Sequence, residues 1–479
     1  MKRPSVLLVK SRSLVSKITA TTPPLGLLYI AAYLRDRLKA DVRVIDAALE
    51  ADAAKAVRDA VRSSRPDVVG VSALTAEAFL AHRVAEAVKA EAPGLPVVFG
   101  GPHASSDPEQ VTADANVDAV VIGEGEETFA ELVRLISDSG PGWKAPAVLA
   151  SVAGIAWRDE SGFRTSAPRP PIGALDALPF PAWDLIDYRH FWGRPGMATV
   201  GVRPYLTMFT SRGCPYRCVF CHQLFGKKFR ARSPENVAEE TSRLLKMGVS
   251  HIEVLDDIAN FDGTRFDRML ETMLEKDLHP VLSFPNAIRA DLMRERSLDL
   301  LKKVGAGEVS VAIETASERL QKLMGKNLSI EKARRTIGML ADRRIFTRGF
   351  FILGLPTETE AEMRSTIRFA RDSRLHLALF FTPNPFRNTE FYDMFARAGK
   401  LPAQSHSIDY EYYGSPFNAS EVPDEKYRVL YRRAYYSFYF NPRRMFYLLR
   451  DKPFPLSYIP GRVYSMLTKV ASFRRLKES

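Results

Sequence analysis

Short apolar runs alternate with amphipathic stretches along most of this chain. In the first 140 residues, Val6–Val9, Val42–Asp46, Asp67–Ser72, Pro96–Phe99 and Ala119–Ile122 are β-rich runs of strand length. Between them lie segments of helical period such as Leu25–Leu38 and Ala76–Ala92. This alternation predicts an α/β domain with a parallel, doubly wound, Rossmann-like sheet. Such sheets take ligands at the carboxyl ends of their strands. Those ends carry Ser72-Ala-Leu-Thr75, Gly100-Gly-Pro-His103 and Gly123-Glu-Gly-Glu-Glu-Thr128. The glycines serve either as turns or as places where backbone approaches a ligand closely.

A second series begins near residue 204. Its strand candidates are Tyr205–Thr210, His251–Leu255, Val281–Phe284, Val309–Glu314, Thr347–Leu353 and Leu377–Thr382. Helical patterns intervene at Pro234–Met247, Arg265–Glu275, Leu298–Val304, Ser329–Asp342 and Thr359–Arg371. Six βα units predict a partial (β/α)6 barrel, whose chemistry gathers at the carboxyl ends of the strands. Between the two series, Ser151–Arg158 and Gly162–Thr165 could pair as a hairpin, and Pro168-Arg-Pro-Pro-Ile172 and Leu178-Pro-Phe-Pro181 suit an extended crossing. The expected organisation is a domain over 1–145, a connector over 146–200, a barrel over 201–400 and a helical, basic, aromatic extension over 401–479.

Composition adds one sharp anomaly. Hydrophobic content of 46% and charged content of 26% are those of a soluble globular chain. Only three cysteines occur in 479 residues, and all three fall in Cys214-Pro-Tyr-Arg-Cys218-Val-Phe-Cys221. An odd, clustered set argues against disulfides and for a reducing compartment with a metal or a reactive thiol. Three thiolates at this spacing can hold three corners of a cuboidal iron–sulfur cluster, leaving one iron open to an outside ligand, whereas electron-transfer clusters usually have four cysteines. The competing uses are structural zinc with His222 as fourth ligand, and inert buried thiols. No signal peptide or membrane-spanning run is present, so a cytoplasmic location is expected.

The cysteine segment resembles the signature of radical S-adenosylmethionine (SAM) enzymes. The resemblance implies a 4Fe–4S cluster on Cys214, Cys218 and Cys221. Its open iron binds the amino and carboxylate groups of SAM, and an electron from the cluster yields a 5′-deoxyadenosyl radical. It also places Phe220 beside the adenine. Leu255-Asp-Asp257 stands where the family has its amino-group-binding acidic motif, which implies Asp256 and Asp257. Asn286-Ala-Ile-Arg-Ala-Asp291, with Arg289, resembles a segment common among the relatives. Ala312-Ile-Glu-Thr-Ala-Ser317 resembles the Gly-Glu-Ser motif and puts Glu314 near the ribose and methionine. Phe351-Ile-Leu-Gly-Leu-Pro-Thr-Glu-Thr359 resembles the Gly-Leu-Pro-Gly-Glu-Thr segment and brings Gly354 and Pro356 to the adenine.

Pro23-Pro-Leu-Gly-Leu-Leu-Tyr-Ile-Ala-Ala-Tyr-Leu34, Val98-Phe-Gly-Gly-Pro-His103 and Val121-Ile-Gly-Glu-Gly-Glu126 resemble the cobalamin-binding domain of cobalamin-dependent radical SAM proteins. The resemblance covers roughly residues 5–440 and implies contacts to cobalamin from Gly26, Ser72, Gly100, Gly101, His103, Gly123, Glu124, Gly125 and Glu126. None of the eight histidines lies in an Asp-x-His-x-x-Gly pattern, so a lower-face histidine ligand is not expected, with His103 the one histidine at a strand end. A vestigial domain, or one that binds a nucleotide, is the alternative. No Gly-x-Gly-x-x-Gly follows Val6–Val9, which counts against a dinucleotide.

The net charge of +12 is uneven, for residues 424–479 hold 13 Lys and Arg against four Asp and Glu. Tyr427, Tyr431, Tyr435 and Phe438 recur there at helical spacing with Arg428, Arg432 and Arg433 between them. Either this face packs across the barrel mouth, or it meets an anionic membrane surface or an amphiphilic substrate. No nucleic-acid module accompanies the charge. The resemblance implies a C-methyltransferase acting on a small molecule, with cobalamin as methyl carrier and a flavodoxin or ferredoxin as electron donor, in a monomer. The alternatives are a non-methylating oxidative cyclase of the anaerobic magnesium-protoporphyrin ester type, or a cofactor-binding regulator without turnover.

Overall fold

The computed structural model describes residues 3–12, 22–199, 203–221, 224–401, 417–454 and 456. The chain forms two compact units, one built on Met1–His190 and the other mainly from Phe191 onward.

The first unit is a seven-stranded sheet. Its strands are β1 (Ser5–Lys10), β2 (Asp41–Asp46), β3 (Val68–Ser72), β4 (Val97–Gly100), β5 (Ala119–Val121), β6 (Ile155–Asp159) and β7 (Gly162–Thr165). They lie in the order β2-β1-β3-β4-β5-β6-β7, with β1 to β5 parallel. Val6, Leu7, Leu8 and Val9 are all buried, as continuous apolar runs must be when helices cover both faces. The helix predicted at Leu25–Leu38 forms over those residues and ends on Lys39 in the left-handed conformation, φ +53°. The chain direction of winding reverses between β1 and β3, and such a reversal opens a crevice for ligands. The expected hairpin does form, but it does not merely bridge domains. Strand β6 pairs antiparallel with β5 and extends the first sheet.

The second unit holds a six-stranded parallel sheet, β8 (Tyr205–Met208), β11 (His251–Val254), β12 (Val281–Ile288), β13 (Ala306–Glu314), β14 (Thr347–Ile352) and β15 (Leu377–Phe381), in sequential order. A two-stranded antiparallel pair, β9 (Ser211–Arg212) and β10 (Arg230–Ala231), brackets the cysteine segment. Helices Pro234–Lys246, Gly263–Glu275, Glu295–Val304, Ile330–Asp342 and Glu360–Asp372 connect the main strands. Their starts follow local chemistry: Ser233, Asp262, Ser329 and Thr359 each cap with their side chains, and Thr359 with Glu362 forms a capping box. The fold is thus the partial (β/α)6 barrel that the pattern predicts.

A helix over Asp424–Tyr439 and another over Pro442–Asp451 follow. The aromatic face of the first points inward. Tyr427, Tyr431, Tyr435 and Phe438 are buried. The Tyr427 hydroxyl donates to Leu353 O at 3.0 Å, and Tyr431 and Tyr435 donate to Phe380 O at 2.5 and 3.1 Å. That face therefore packs on the barrel and is no free surface. The rest of the expected extension, residues 402–416, 455 and 457–479, lies outside the described residues.

Charged side chains sit inside the barrel at the starts of its strands. Glu253, Glu308 and Arg348 are all buried, with Arg348 3.1 Å from Glu308. Met197 N and Ala198 N donate to Glu253 at 3.0 and 2.9 Å, Thr199 N donates to Glu308 at 2.6 Å, and Arg348 donates to Met197 O at 3.0 Å. Burial, and the nearby Glu308 charge, push the Glu253 carboxyl up to about 7. These bonds fasten residues 197–199 beneath the sheet. Removing one partner leaves the others buried and uncompensated, so Arg348→Ala should cost about 3–5 kcal/mol, read as a lowered urea midpoint for the barrel by circular dichroism; an unchanged midpoint would mean that the network is not structural.

Candidate cofactor sites

The cysteine loop leaves the barrel after β8 and is held from three sides. Asp256 accepts from Thr210 N at 2.6 Å, Thr210 Oγ1 at 2.5 Å and Ser211 Oγ at 2.6 Å. Arg289 lies 3.7 Å from the centre of the Tyr216 ring, pairs with Asp291 at 2.9 Å and donates to Asn327 O at 2.8 Å. It thus ties the loop to the 325–327 turn. Val219 N donates to Met324 O at 3.1 Å. Gly325, at φ +63°, passes so close that an added Cβ would lie 2.4 Å from Arg217 O, so only glycine fits there. Val219 and Phe220 pack into an apolar cluster with Leu320, Met324, Ile352 and Phe391.

The thiols are consequently crowded. Cys214 and Cys218 are half-buried, and desolvation raises both above the ordinary thiol value, while Cys221 reaches the surface beside them. Thiolates here need a cationic partner, and a metal cluster supplies one. Among the described residues, no three His, Cys, Asp or Glu side chains gather as a single ion would require. Three cysteines, with no fourth in the chain, would leave one corner of a cuboidal cluster open. His222 lies outside the described residues.

Two groups face this loop with opposite charges. Lys326 is half-buried, 3.2 Å from the Glu314 carboxylate, whose charge raises its ammonium with help from Cys218 and Cys221. Glu314 adopts φ +64° at the end of β13, and Ala287 and Thr357 adopt φ +81° and +61° near the ends of β12 and β14. Left-handed backbone at Ala287 and Glu314, near the ends of β12 and β13, is held by the surrounding sheet. Asp257 accepts from Gly213 N at 3.1 Å and is exposed, with the buried Asp256 alongside.

The sequence-derived residues therefore divide. Cys214, Cys218, Cys221, Phe220, Asp257 and Glu314 come together around one loop. Asp256 is consumed by strand and turn bonds, and Arg289 acts as the loop's clamp, so neither presents a free group. Gly354, at φ +95°, comes close to Tyr427, whose Cε2 would lie 3.0 Å from an added Cβ, so its tight contact is with the C-terminal helix. Pro356 is buried in the following turn. Lys326 went unread because a lone lysine after a Gly carries no pattern; only the thiols beside it give it meaning.

In the first unit, Ser72, Gly100, Gly101 and Gly123 all line the carboxyl edge of the sheet. Gly101 has φ +84°, and a Cβ there would come within 2.6 Å of Ser72 Oγ. Gly123 has φ +78°, and its N–H is held by Ser105 Oγ at 3.0 Å. Leu74 and Phe79, just past β3, are 44% and 41% exposed. An exposed apolar pair at this edge fits a large flat macrocycle; Leu74 lies in the Ser72–Thr75 strand end read from the sequence, whereas Phe79 was not singled out. Other residues do different work. Gly26 borders open space, Gly125 packs tightly on Ile30, Glu124 accepts from Ile172 N at 2.7 Å and Glu126 is buried. His103 is also buried, 6.0 Å ring to ring from His82, and desolvation lowers it to about 4. Its Nε2 has no hydrogen-bond partner among the described residues.

Comparison with known proteins follows this geometry. Residues 11–133 match the B12 binding domain family, and residues 208–370 match the radical SAM superfamily. An uncharacterized methyltransferase of Pyrococcus horikoshii is 31% identical over 450 residues, 92% of this chain and 94% of the relative. The anaerobic magnesium-protoporphyrin IX monomethyl ester cyclase of Rubrivivax gelatinosus is 30% identical over 377 residues, 78% of this chain and 66% of the relative. The chain belongs to the cobalamin-dependent radical SAM family. Its fold is similar to that of the radical SAM methyltransferase TsrM from Kitasatospora setae, solved with cobalamin and a [4Fe-4S] cluster, with a TM-score of 0.69, 18% identity, and coverage of 84% of this chain and 80% of that one. As a cobalamin-dependent radical SAM enzyme it uses a 4Fe–4S cluster, SAM and cobalamin. The two adjacent aspartates then carry separable expectations. Asp256→Ala, which loses three bonds, should lower stability by about 3 kcal/mol. Asp257→Asn should leave the melting temperature within error and weaken SAM binding about 10-fold or more, measured by anaerobic equilibrium dialysis; the reverse pattern would exchange their roles.

Proposed function

We propose that this chain is a C-methyltransferase that places a methyl group on an unactivated carbon of a small molecule with a hydrocarbon region. The observation that carries this reading is the near end-to-end match to a methyltransferase, 92% of this chain on 94% of the relative, combined with the two cofactor-type sites described above. When bound, the cluster supplies the electron that cleaves SAM, and cobalamin supplies a transferable methyl group.

The chain's own residues hold and shield these groups. Cys214, Cys218 and Cys221 are the cluster ligands, leaving one position for SAM. Asp257 accepts from the methionyl ammonium, Glu314 and Lys326 fix the polar end of the ligand, and Phe220 offers a face to the adenine. Ser72, Gly100, Gly101 and Gly123, with Leu74 and Phe79, line the cobalamin. No tuned acid–base pair is required, because hydrogen abstraction needs none.

Two aromatic rings support an apolar substrate. Successive strand residues point to opposite faces. Phe351 and Phe380 stack at 5.3 Å on the helix-covered side, so Phe350 and Phe381, which meet at 5.6 Å and are half-exposed, face the other way, into the barrel.

The cyclase relative supports a second reading, an oxidative ring closure without methyl transfer. Products separate the two. An anaerobically reconstituted sample given reductant, SAM, cobalamin and substrate extract should form S-adenosylhomocysteine together with 5′-deoxyadenosine and a methylated product by mass spectrometry. Formation of 5′-deoxyadenosine with no S-adenosylhomocysteine would favour ring closure and overturn the methyltransferase.

A further inference from the structure

We propose that the outer face of the two C-terminal helices docks on an anionic phospholipid surface. The inner face of Asp424–Tyr439 is spent on the barrel, while the outer face exposes Val429 and Tyr436 among charged side chains. Val429, Arg433, Tyr436 and Phe440 follow one another at steps of four, three and four residues, which places them on one stripe. Val429, Tyr436 and Phe440 are exposed, Phe440 by 71%, and the Tyr436 and Phe440 rings lie 5.7 Å apart. The next helix adds Met445, Phe446 and Leu449, all exposed, Phe446 by 60%. Leu456 is 60% exposed just beyond. A contiguous apolar run of this kind on a soluble chain marks an interaction surface.

Charge identifies the partner. Arg428, Arg432, Arg433 and Arg443 stand among these side chains and make no ion pair among the described residues. The acidic residue nearest to them after Glu425, Asp451, is turned inward onto His376 at 3.1 Å and Arg450 at 2.7 Å, and its side chain is fully buried. The stretch from 426 to 456 thus shows solvent a basic and aromatic face with no exposed carboxylate. Residues 457–479 continue the composition, with five Lys and Arg against one Glu. Aromatic side chains at the headgroup level, flanked by arginines that pair with lipid phosphates, are the elements of interfacial binding. No helix among the described residues is long and apolar enough to cross a bilayer, so the contact is peripheral.

The full-length protein, reconstituted anaerobically, should cosediment with vesicles of phosphatidylglycerol and phosphatidylcholine at least tenfold more than with phosphatidylcholine alone, and lose that preference at high salt. Phe440→Ser with Phe446→Ser, and separately Arg432→Glu with Arg433→Glu, should each lower binding at least tenfold. Both variants should keep the wild-type melting temperature and the rate of 5′-deoxyadenosine formation in detergent. Equal sedimentation with both vesicle types, or undiminished binding by both variants, overturns the proposal. So does a wild-type dimer that these substitutions dissolve while vesicle binding is absent, since the face would then join two copies.

Discussion

Three thiols within eight residues repel one another as soon as they ionise, and much of the local structure works to hold them close nonetheless. The loop has little regular structure of its own. It is fixed by Asp256 at its root, by the Arg289 guanidinium stacked on Tyr216, and by a backbone contact at Gly325 that no side chain would allow. Lys326, Arg289 and Lys227 temper the Cys218 charge, and the first two already serve a carboxylate, Glu314 and Asp291. The charge left over calls for a polycationic centre, and the barrel provides a rigid frame around it.

The barrel is arranged so that its two ends do different jobs. At the strand starts, Glu253, Glu308 and Arg348 form a closed, bonded network that anchors residues 197–199. At the strand finishes lie the cysteine loop, the left-handed Ala287 and Glu314, and the half-exposed Phe350 and Phe381. Structural charge below and unspent chemistry above is the division expected of barrel enzymes. The first unit repeats it, with a continuous apolar sheet whose functional features crowd the carboxyl edge near the reversal of strand order.

Much of this was legible because apolar period is a strong signal. The helix at Leu25–Leu38 and the parallel strands of both sheets follow directly from runs that only burial explains. The cysteine spacing was equally plain. Side-chain fate was not. Adjacent aspartates at 256 and 257 look interchangeable in a string, yet one points back into the turn and the other toward the thiols. His103 sits at a strand end by sequence but is packed against His82 by the fold. The tail's aromatic spacing revealed a helix face without saying that β15 covers it, so the outward stripe around Phe440 emerged only with exposure in hand. Strand β6 joining β5 in antiparallel fashion was hidden for a similar reason: a hairpin's pairing partner is a tertiary fact.

The central claim, a cluster on three thiols with one iron left for SAM, is tested most directly by electron paramagnetic resonance of the reduced, oxygen-protected protein, paired with metal analysis. About four irons per chain are expected, lost when any one of Cys214, Cys218 or Cys221 becomes alanine, with a reduced-cluster signal that shifts when SAM is added. Zinc in place of iron, or a cluster signal indifferent to SAM, would contradict it.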